Sequence, residues 1–276
     1  MTPRVSVVVP AYNNAEYVAE TVDSILDQTF QDFELVVADH SSTDATMDVL
    51  RTYAGDRRVQ ILTTPAGGGA KANWDRVSEA ANGELVKLVC GDDTIFPTCL
   101  EEQVAAFDEH PSAVLVASQR TLVDAKGESL IAARGLAGLS GLVSGREAAR
   151  RTVRSGTNIF GEPGAVMMKR SVLKANGWWD DAHPYLIDEA TYVGVALQGD
   201  VVAIAHPLAT FRVNAGQWSV RLAKQQAGQA AAFHRSLRHT DPTLVSAGDV
   251  RIGNAKALAT SFMRRGVYFF LRHRMS

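Results

Sequence analysis

The stretch VSVVVPAYNNAEYVAETVDSILDQTFQDFELVVADHSSTDAT, residues 5–46, decides the fold. Val5 to Val9 is a β-branched run with no polar alternation, the mark of a strand buried on both faces of a parallel sheet. Pro10 ends it, and Tyr12-Asn13-Asn14 reads as a loop. From Ala15 to Gln28 the spacing turns helical, with Val18, Val22, Ile25 and Leu26 on one face. Phe33 to Ala38 is a second buried strand ending at Asp39. Ser41 to Asp44 then makes a polar turn into a stripe of Met47, Leu50 and Tyr53.

Working outward, Val59 to Leu62 reads as a third strand and Gly67-Gly68-Gly69 as a flexible loop. A helix follows from about Asn73 to Ala81, closed by Asn82-Gly83 in the usual C-terminal fashion. Leu85 to Val89 is a fourth strand, ending at Cys90-Gly91-Asp92-Asp93. Strands alternating with helices at this pitch mean βαβ units and a mainly parallel sheet of the α/β class. Ligands gather beyond the carboxyl ends of such strands. Tyr12-Asn13, Asp39 and Asp92-Asp93 all fall there, which locates a site.

The second half is less regular. Ala113–Ser118, Val166–Met168, Val201–Ala205 and Thr210–Val213 read as further strands. Gly135 to Gly145 has no clear period and fits either a mobile loop over a site or a plain surface connection. Near the C-terminus, Ala255, Leu258, Phe262 and Phe269 suggest an amphipathic helix bordered by Arg264, Arg265, Arg272 and Arg274.

The chain has 276 residues, 46% apolar and 21% charged, the profile of a soluble globular protein. That length permits one large domain or a domain with an appendage. No run reaches the roughly 18 apolar residues of a membrane span. The N-terminus lacks a signal-peptide cleavage site, so a cytoplasmic location is expected. Cys90 and Cys99 fit that compartment as reduced thiols, with no spacing for a disulfide framework or zinc. The net charge of −2 hides an asymmetry. Residues 1–220 hold 18 Lys and Arg against 28 Asp and Glu; residues 221–276 hold 10 against 2. Such a basic tail suits an anionic partner, or a helical appendage folded back on the acidic body.

Two adjacent carboxylates after a strand and a glycine suit a divalent cation. Mg²⁺ or Mn²⁺ takes oxygen ligands, often one or two carboxylates with water and substrate phosphates. An isolated Asp-Asp pair can equally be a solvated turn; the strand-end position favours the metal reading.

Three segments carry a more specific resemblance: residues 5–46, GAKANWDRVSEAANGELVKLVCGDD over 69–93, and DEATYVGVALQGDVVAIAHPLATFRVN over 188–214. In this order, and covering most of residues 1–220, they resemble family 2 glycosyltransferases of the GT-A fold. The resemblance implies a Rossmann-like, nucleotide-sugar-binding half over about residues 1–110. It implies a mixed acceptor-binding half over 111–220, with 221–276 as a basic helical extension. The nucleotide would be cradled by Pro10, Ala11, Tyr12 and Asn13, with Asp39 at the base. In the family's Asp-Asp-Gly-Ser-Thr-Asp pattern, His40 replaces the second acid and Ser41 the glycine. Asn73, beside Trp74, would lie along the donor. Lys71 would neutralise its pyrophosphate, although a solvated lysine fits the sequence as well.

The first Asp of the family's Asp-x-Asp-Asp pattern falls on Cys90, leaving Asp92 as principal metal ligand and donor contact and Asp93 as a supporting ligand. A family His near the metal falls on Asn214, an oxygen ligand of lower affinity. The base of inverting members falls on Asp188, with Glu189 as the lesser candidate. Its place at a helix N-terminus is expected to keep Asp188 ionised. The implied activity is inverting transfer of a sugar from a nucleotide-diphosphate donor, UDP or dTDP, to a hydroxyl of a saccharide or lipid-linked acceptor. Polysaccharide or glycolipid assembly would be the setting. Mn²⁺ or Mg²⁺ is the implied cofactor, and no nucleic acid partner is expected. The basic tail adds a peripheral contact with an anionic membrane. The rival readings are a non-catalytic nucleotide-sugar-binding protein and a nucleotidyltransferase. The latter normally carries a basic Gly-rich loop directly after its first strand, and Pro10–Asn13 lacks one.

Overall fold

The computed structural model describes residues 2–214 and 225–271, with side chains described as far as Arg264. The opening stretch forms β1 (Val5–Ala11), α1 (Val18–Leu26), β2 (Phe33–Asp39) and α2 (Thr46–Arg51). Then come β3 (Val59–Thr63), α3 (Gly69–Ala80), β4 (Leu85–Leu88) and α4 (Cys99–Glu109). The second half holds β5 (Ala113–Val123), β6 (Ser129–Arg134), β7 (Gly141–Ser144), α5 (Gly145–Ser155) and β8 (Val166–Lys169). It continues with α6 (Arg170–Ala175), α7 (Ile187–Ala196) and β9 (Asp200–Arg212). Two helices close the described chain, α8 (Gln226–Thr240) and α9 (Ala247–Leu271).

The strands form one sheet in the order β3-β2-β1-β4-β8-β5-β9-β7, with β6 paired to β5. β1 to β4, β5 and β9 point one way, while β6, β7 and β8 run against them. The sheet is therefore mainly parallel, and fully parallel over β1 to β4. Period-two alternation divides its side chains between two cores. Val8, Val36, Val86, Leu88 and Leu115 face one side; Val7, Val9, Leu35, Val37 and Val116 face the other. Both faces are covered by helices, which is why these strands read as continuous apolar runs.

Three expectations are corrected. Val201–Ala205 and Thr210–Val213 are not two strands: β9 runs through both, held to β5 with register shifts around Gln119 and Pro207. Gly135 to Gly145 is not a loose loop, because Leu136 and Leu139 are buried in the core and β7 pairs with β9. The helix expected from Asn73 begins four residues earlier, at Gly69.

The C-terminal helices share the main core. Ala230, Phe233, Leu244, Val245, Val250 and Ala257 belong to the same buried cluster as Val8 and Leu115. Gly253 lets α9 approach α5: a Cβ there would run into the carbonyl oxygen of Val153. No helix among the described residues is long and apolar enough to cross a membrane. Arg272 and Arg274, expected on the rim of the last helix, lie outside the described residues, and the side chains of Arg265 and Phe269 lie outside those described.

Candidate active site

The carboxyl ends of β1 and β2 are fastened by backbone and one buried amide. His40 N–H donates to the Ala11 carbonyl at 2.9 Å, and Thr64 N–H to the Asp39 carbonyl at 2.8 Å. Asn73 is buried on α3 and donates to the carbonyls of Ala38 at 2.9 Å and Ala11 at 3.3 Å. It also accepts from the Thr64 hydroxyl at 2.6 Å. Its amide thus ties the strand ends together, where the sequence suggested a donor contact.

Beyond β1, Pro10 and Ala11 are buried in the strand while the Tyr12 ring stands 53% exposed, edge-on to His40 at 6.0 Å. Asn13 sits at φ 50° and Ser41 at φ 53°, the left-handed region that L side chains seldom occupy. Asn13 N–H donates to Ser42 Oγ at 2.9 Å, and Asn13 Oδ1 accepts from Thr43 N–H at 2.9 Å, so the two loops lock against each other. Asp39 is buried. Its Oδ2 accepts from Ser42 N–H at 3.1 Å, while its Oδ1 has no hydrogen-bond partner in the chain. A buried acceptor of this kind calls for a donor, and an imide N–H of a nucleobase would supply one.

Lys71 is ion-paired with Asp75 one turn along α3. It lines a cleft of about 320 Å³ with Trp179, Asp180 and Asp181.

Asp92 and Asp93 behave differently from each other. Asp92 is 8% exposed, and its Oδ2 accepts from Asn214 Nδ2 at 2.9 Å. Asp93 is fully buried, and its Oδ1 accepts from the backbone N–H of Arg212 at 2.8 Å. Burial first, then the Asp92 charge, pushes the Asp93 carboxyl well above its ordinary value. Asp93 thus ties the segment after β4 to β9 through Oδ1, while its buried Oδ2 has no hydrogen-bond partner in the chain. Arg212 completes that corner, with Nε donating to the Asp92 carbonyl at 2.9 Å and Nη2 to Glu20 at 2.6 Å. Its guanidinium lies over the Tyr17 ring at 4.7 Å. Among the described residues no three acidic, His or Cys side chains form a metal cluster. One carboxylate still fits a hard cation that takes its other ligands from a diphosphate and water. Asn214 acts on Asp92 as a hydrogen-bond donor that orients it.

Asp188 lies in the first turn of α7, half-buried. Its Oδ1 accepts from Glu189 N–H at 2.8 Å and its Oδ2 from Asn158 Nδ2 at 2.9 Å. Burial lifts its pKa to about 6, with Glu162 adding to the rise and the two hydrogen bonds opposing it. Desolvation thus outweighs the helix N-terminus, which was expected to hold Asp188 low. Glu189 is buried with Oε1 unpartnered, and burial and Asp188 push it up to about 8. Burial thus favours the neutral form of Glu189 more than that of Asp188.

Glu162, Asn158 and Arg120 escaped the sequence reading. Burial would raise Glu162, but its ion pair with buried Arg120, helped by Arg264, holds it below its ordinary value. Arg120 Nη1 also donates to the Arg134 carbonyl at 3.0 Å. Only a glycine fits at Gly135, where a Cβ would press on that guanidinium. The half-buried Cys90 joins the two halves. Burial first, then Asp93, Asp92, Asp188 and Glu162, raise its thiol, so all four carboxyls lie within electrostatic reach of it.

A mainly parallel sheet with nucleotide-type loops at its strand ends, one acidic corner and a carboxylate on the facing half defines the GT-A class. The chain belongs to Glycosyl transferase family 2, whose family model matches residues 6–177. Among solved structures, Staphylococcus aureus TarS residues 1–349, crystallised with UDP-GlcNAc, superposes with a TM-score of 0.71 at 19% identity. That match covers 94% of this chain and 72% of TarS 1–349. The mannosyltransferase PcManGT of Pyrobaculum calidifontis, in complex with GDP-Man and Mn²⁺, gives 0.66 at 19% identity, covering 97% and 75%. In sequence, EpsE of Bacillus subtilis (strain 168), named as a glycosyltransferase, is 29% identical over 165 residues, covering 55% of this chain and 59% of EpsE. The poly(ribitol-phosphate) β-N-acetylglucosaminyltransferase TarS is 36% identical over 115 residues, 40% of this chain and 20% of that protein. These matches thus span less than two thirds of either curated relative.

Proposed function

We propose that the protein is an inverting glycosyltransferase that moves a sugar from a nucleoside-diphosphate donor to an acceptor hydroxyl. The observation that carries this reading is the convergence of Asp92 from the nucleotide half and Asp188 from the facing half around Cys90. The relatives' donors, UDP-GlcNAc and GDP-Man, are of that chemical class. Pro10 to Asn13 cradle the nucleotide, and the unpartnered Asp39 Oδ1 suits the N3–H of a uracil or thymine base, in keeping with UDP or dTDP as the donor nucleotide. Asp92, oriented by Asn214, would hold Mn²⁺ or Mg²⁺ together with the donor. A bound cation there neutralises charge building on the leaving diphosphate.

Asp188 takes the proton of the acceptor hydroxyl as its oxygen attacks the anomeric carbon. The bond from that carbon to the diphosphate oxygen breaks on the opposite face, so the configuration inverts. A base with a pKa of about 6 is ionised at neutral pH yet strong enough to share a proton. Asn158 and Glu189 N–H fix its two oxygens; Glu162, paired with Arg120, keeps a second charge nearby that raises its basicity. The acceptor is a saccharide or a lipid-linked saccharide, as polysaccharide assembly requires, and the reaction proceeds on the cytoplasmic side.

The test is transfer from radiolabelled UDP- and dTDP-sugars to a saccharide acceptor with Mn²⁺, with and without chelator. Cation-dependent release of nucleoside diphosphate is expected. Donor binding by thermal shift with no release under any condition would replace this reading with a non-catalytic binding protein.

A further inference from the structure

Helix α9 is built inside out. Towards the body it turns small residues: Gly253, Ala257 and Ser261 are buried at successive turns, under Val250. Its large apolar side chains point the other way, with Ile252 41%, Leu258 50%, Phe262 61% and Met263 64% exposed. At 100° per residue these four share one face with Ala255 and Ala259; Lys256 marks one edge, and Arg251 lies within the face at its N-terminal end. A helix that packs by its small residues and carries Ile252, Leu258 and Met263 outward presents apolar surface to its surroundings.

The Lys256 edge opens into a cleft of about 540 Å³ lined also by Arg150, Arg151 and Arg154 of α5 and by Glu147, which pairs with Arg151 at 3.0 Å, so that cations outnumber anions on its walls. Asp249, 2% exposed, underlies it, accepting from Arg150 Nε at 3.1 Å and from Arg154. Although burial opposes this, Ser246 and the two guanidinia hold the Asp249 carboxyl well below its ordinary value, so it stays an anion. Both guanidinia remain about half exposed while fastened from beneath. The cleft therefore offers fixed donors for phosphate oxygens beside an apolar ridge.

We infer that α9 is an interfacial helix that docks on an anionic phospholipid surface, with its Leu258-Phe262-Met263 face in the acyl boundary and lipid phosphates in the Arg150-Arg151-Arg154-Lys256 cleft. The pairing of an apolar face with a basic cleft along its Lys256 edge selects this occupant over an apolar protein groove, which would leave the cleft unanswered. The helix also reaches the site. Arg264, next to Met263, donates to the Tyr185 hydroxyl, while Gln229 of α8 accepts from Tyr185 N–H at 2.7 Å. Tyr185 lies in the turn that leads into α7 and Asp188. Docking so links the acceptor side of the site to the lipid-facing helix through Arg264 and Tyr185. That consequence rests on the glycosyltransferase reading; the docking itself does not.

The test is co-sedimentation of the full chain with phosphatidylcholine vesicles, with and without phosphatidylglycerol. Binding to the anionic vesicles and its loss in high salt are expected. A Leu258→Ser, Phe262→Ser, Met263→Ser triple variant should bind about a hundredfold more weakly. An Arg151→Glu, Lys256→Glu variant should bind about tenfold more weakly to anionic vesicles alone. Equal sedimentation with both vesicle types, or of the triple variant and the parent, overturns the proposal. So does a dimer in sedimentation velocity that the triple substitution abolishes, which would make the face a contact between copies. Thermal shift by a UDP-sugar should be identical in all variants; its absence in the parent would sink the proposed function and leave the vesicle result standing.

Discussion

At the residue scale, Asp188 and Asp92 are separable by experiment. Asp188→Asn should lower turnover by about 10²–10⁴-fold, the usual worth of general-base catalysis, with donor affinity kept. Asp92→Ala should instead abolish the Mn²⁺-dependent part of the donor thermal shift, read with and without chelator. Because Asp188 must be ionised to act, kcat should rise with pH and level off above about 6. A profile flat from well below that value would remove Asp188 from the role. The same pKa has a stability consequence of fixed sign. Raised from 3.8 to about 6 in the fold, the group binds more protons folded than unfolded, so stability falls as pH climbs through that window. At neutral pH an ionised Asp188 therefore costs up to about 3 kcal/mol, and Asp188→Asn should melt higher than the parent while turning over less. Equal or lower stability of the variant at neutral pH would contradict the burial argument.

At the element scale, the strand ends depend on Asn73 and the last helices on their glycines. Asn73→Asp would set a carboxylate against the carbonyls of Ala11 and Ala38, so it should destabilise more than Asn73→Ala, which leaves those buried acceptors unmet at about 1–3 kcal/mol. Chemical denaturation of the two variants checks the order. Gly253→Ala should lose about 1–3 kcal/mol because its Cβ meets the Val153 backbone. Gly228→Ala on α8 meets nothing and should gain up to about 1 kcal/mol from helix propensity. These elements were unequally legible. Buried parallel strands such as β1 and β2 declare themselves by unbroken apolar runs. β6 is mostly exposed and has little apolar pattern to read, and β9 hides its continuity at Pro207, where the register shifts against β5.

At the scale of the whole molecule, the extension is part of one core with the sheet. Removing residues 225–276 would strip Phe233, Leu244, Val245 and Ala257 from that core and uncover α5. The truncated chain should therefore be recovered as an unfolded or aggregated species by circular dichroism, and not as a smaller active domain. The charge asymmetry between body and tail is likewise only partly a matter of self-attraction. Asp249 engages Arg150 and Arg154, and Asp241 engages Arg146, so residues of the basic tail supply the acids that organise arginines of the acidic body.

The sequence by itself determined the α/β class, the four parallel strands of the nucleotide half, and the strand-end positions of Asp39 and Asp92. Periodicity and chain connectivity are local properties, and ligand sites in parallel sheets follow from them. Asp92-Asp93 shows what lay beyond that reach. Adjacent in sequence, the two carboxylates differ because the segment that follows β4 bridges to β9, which presents the Arg212 backbone to one of them. The environments of Asp188 and Glu189, the Arg120–Glu162 pair and the outward face of α9 were decided in the same way. Each depends on which distant segment supplies the neighbour, and so on burial and charge that exist only once the chain is folded.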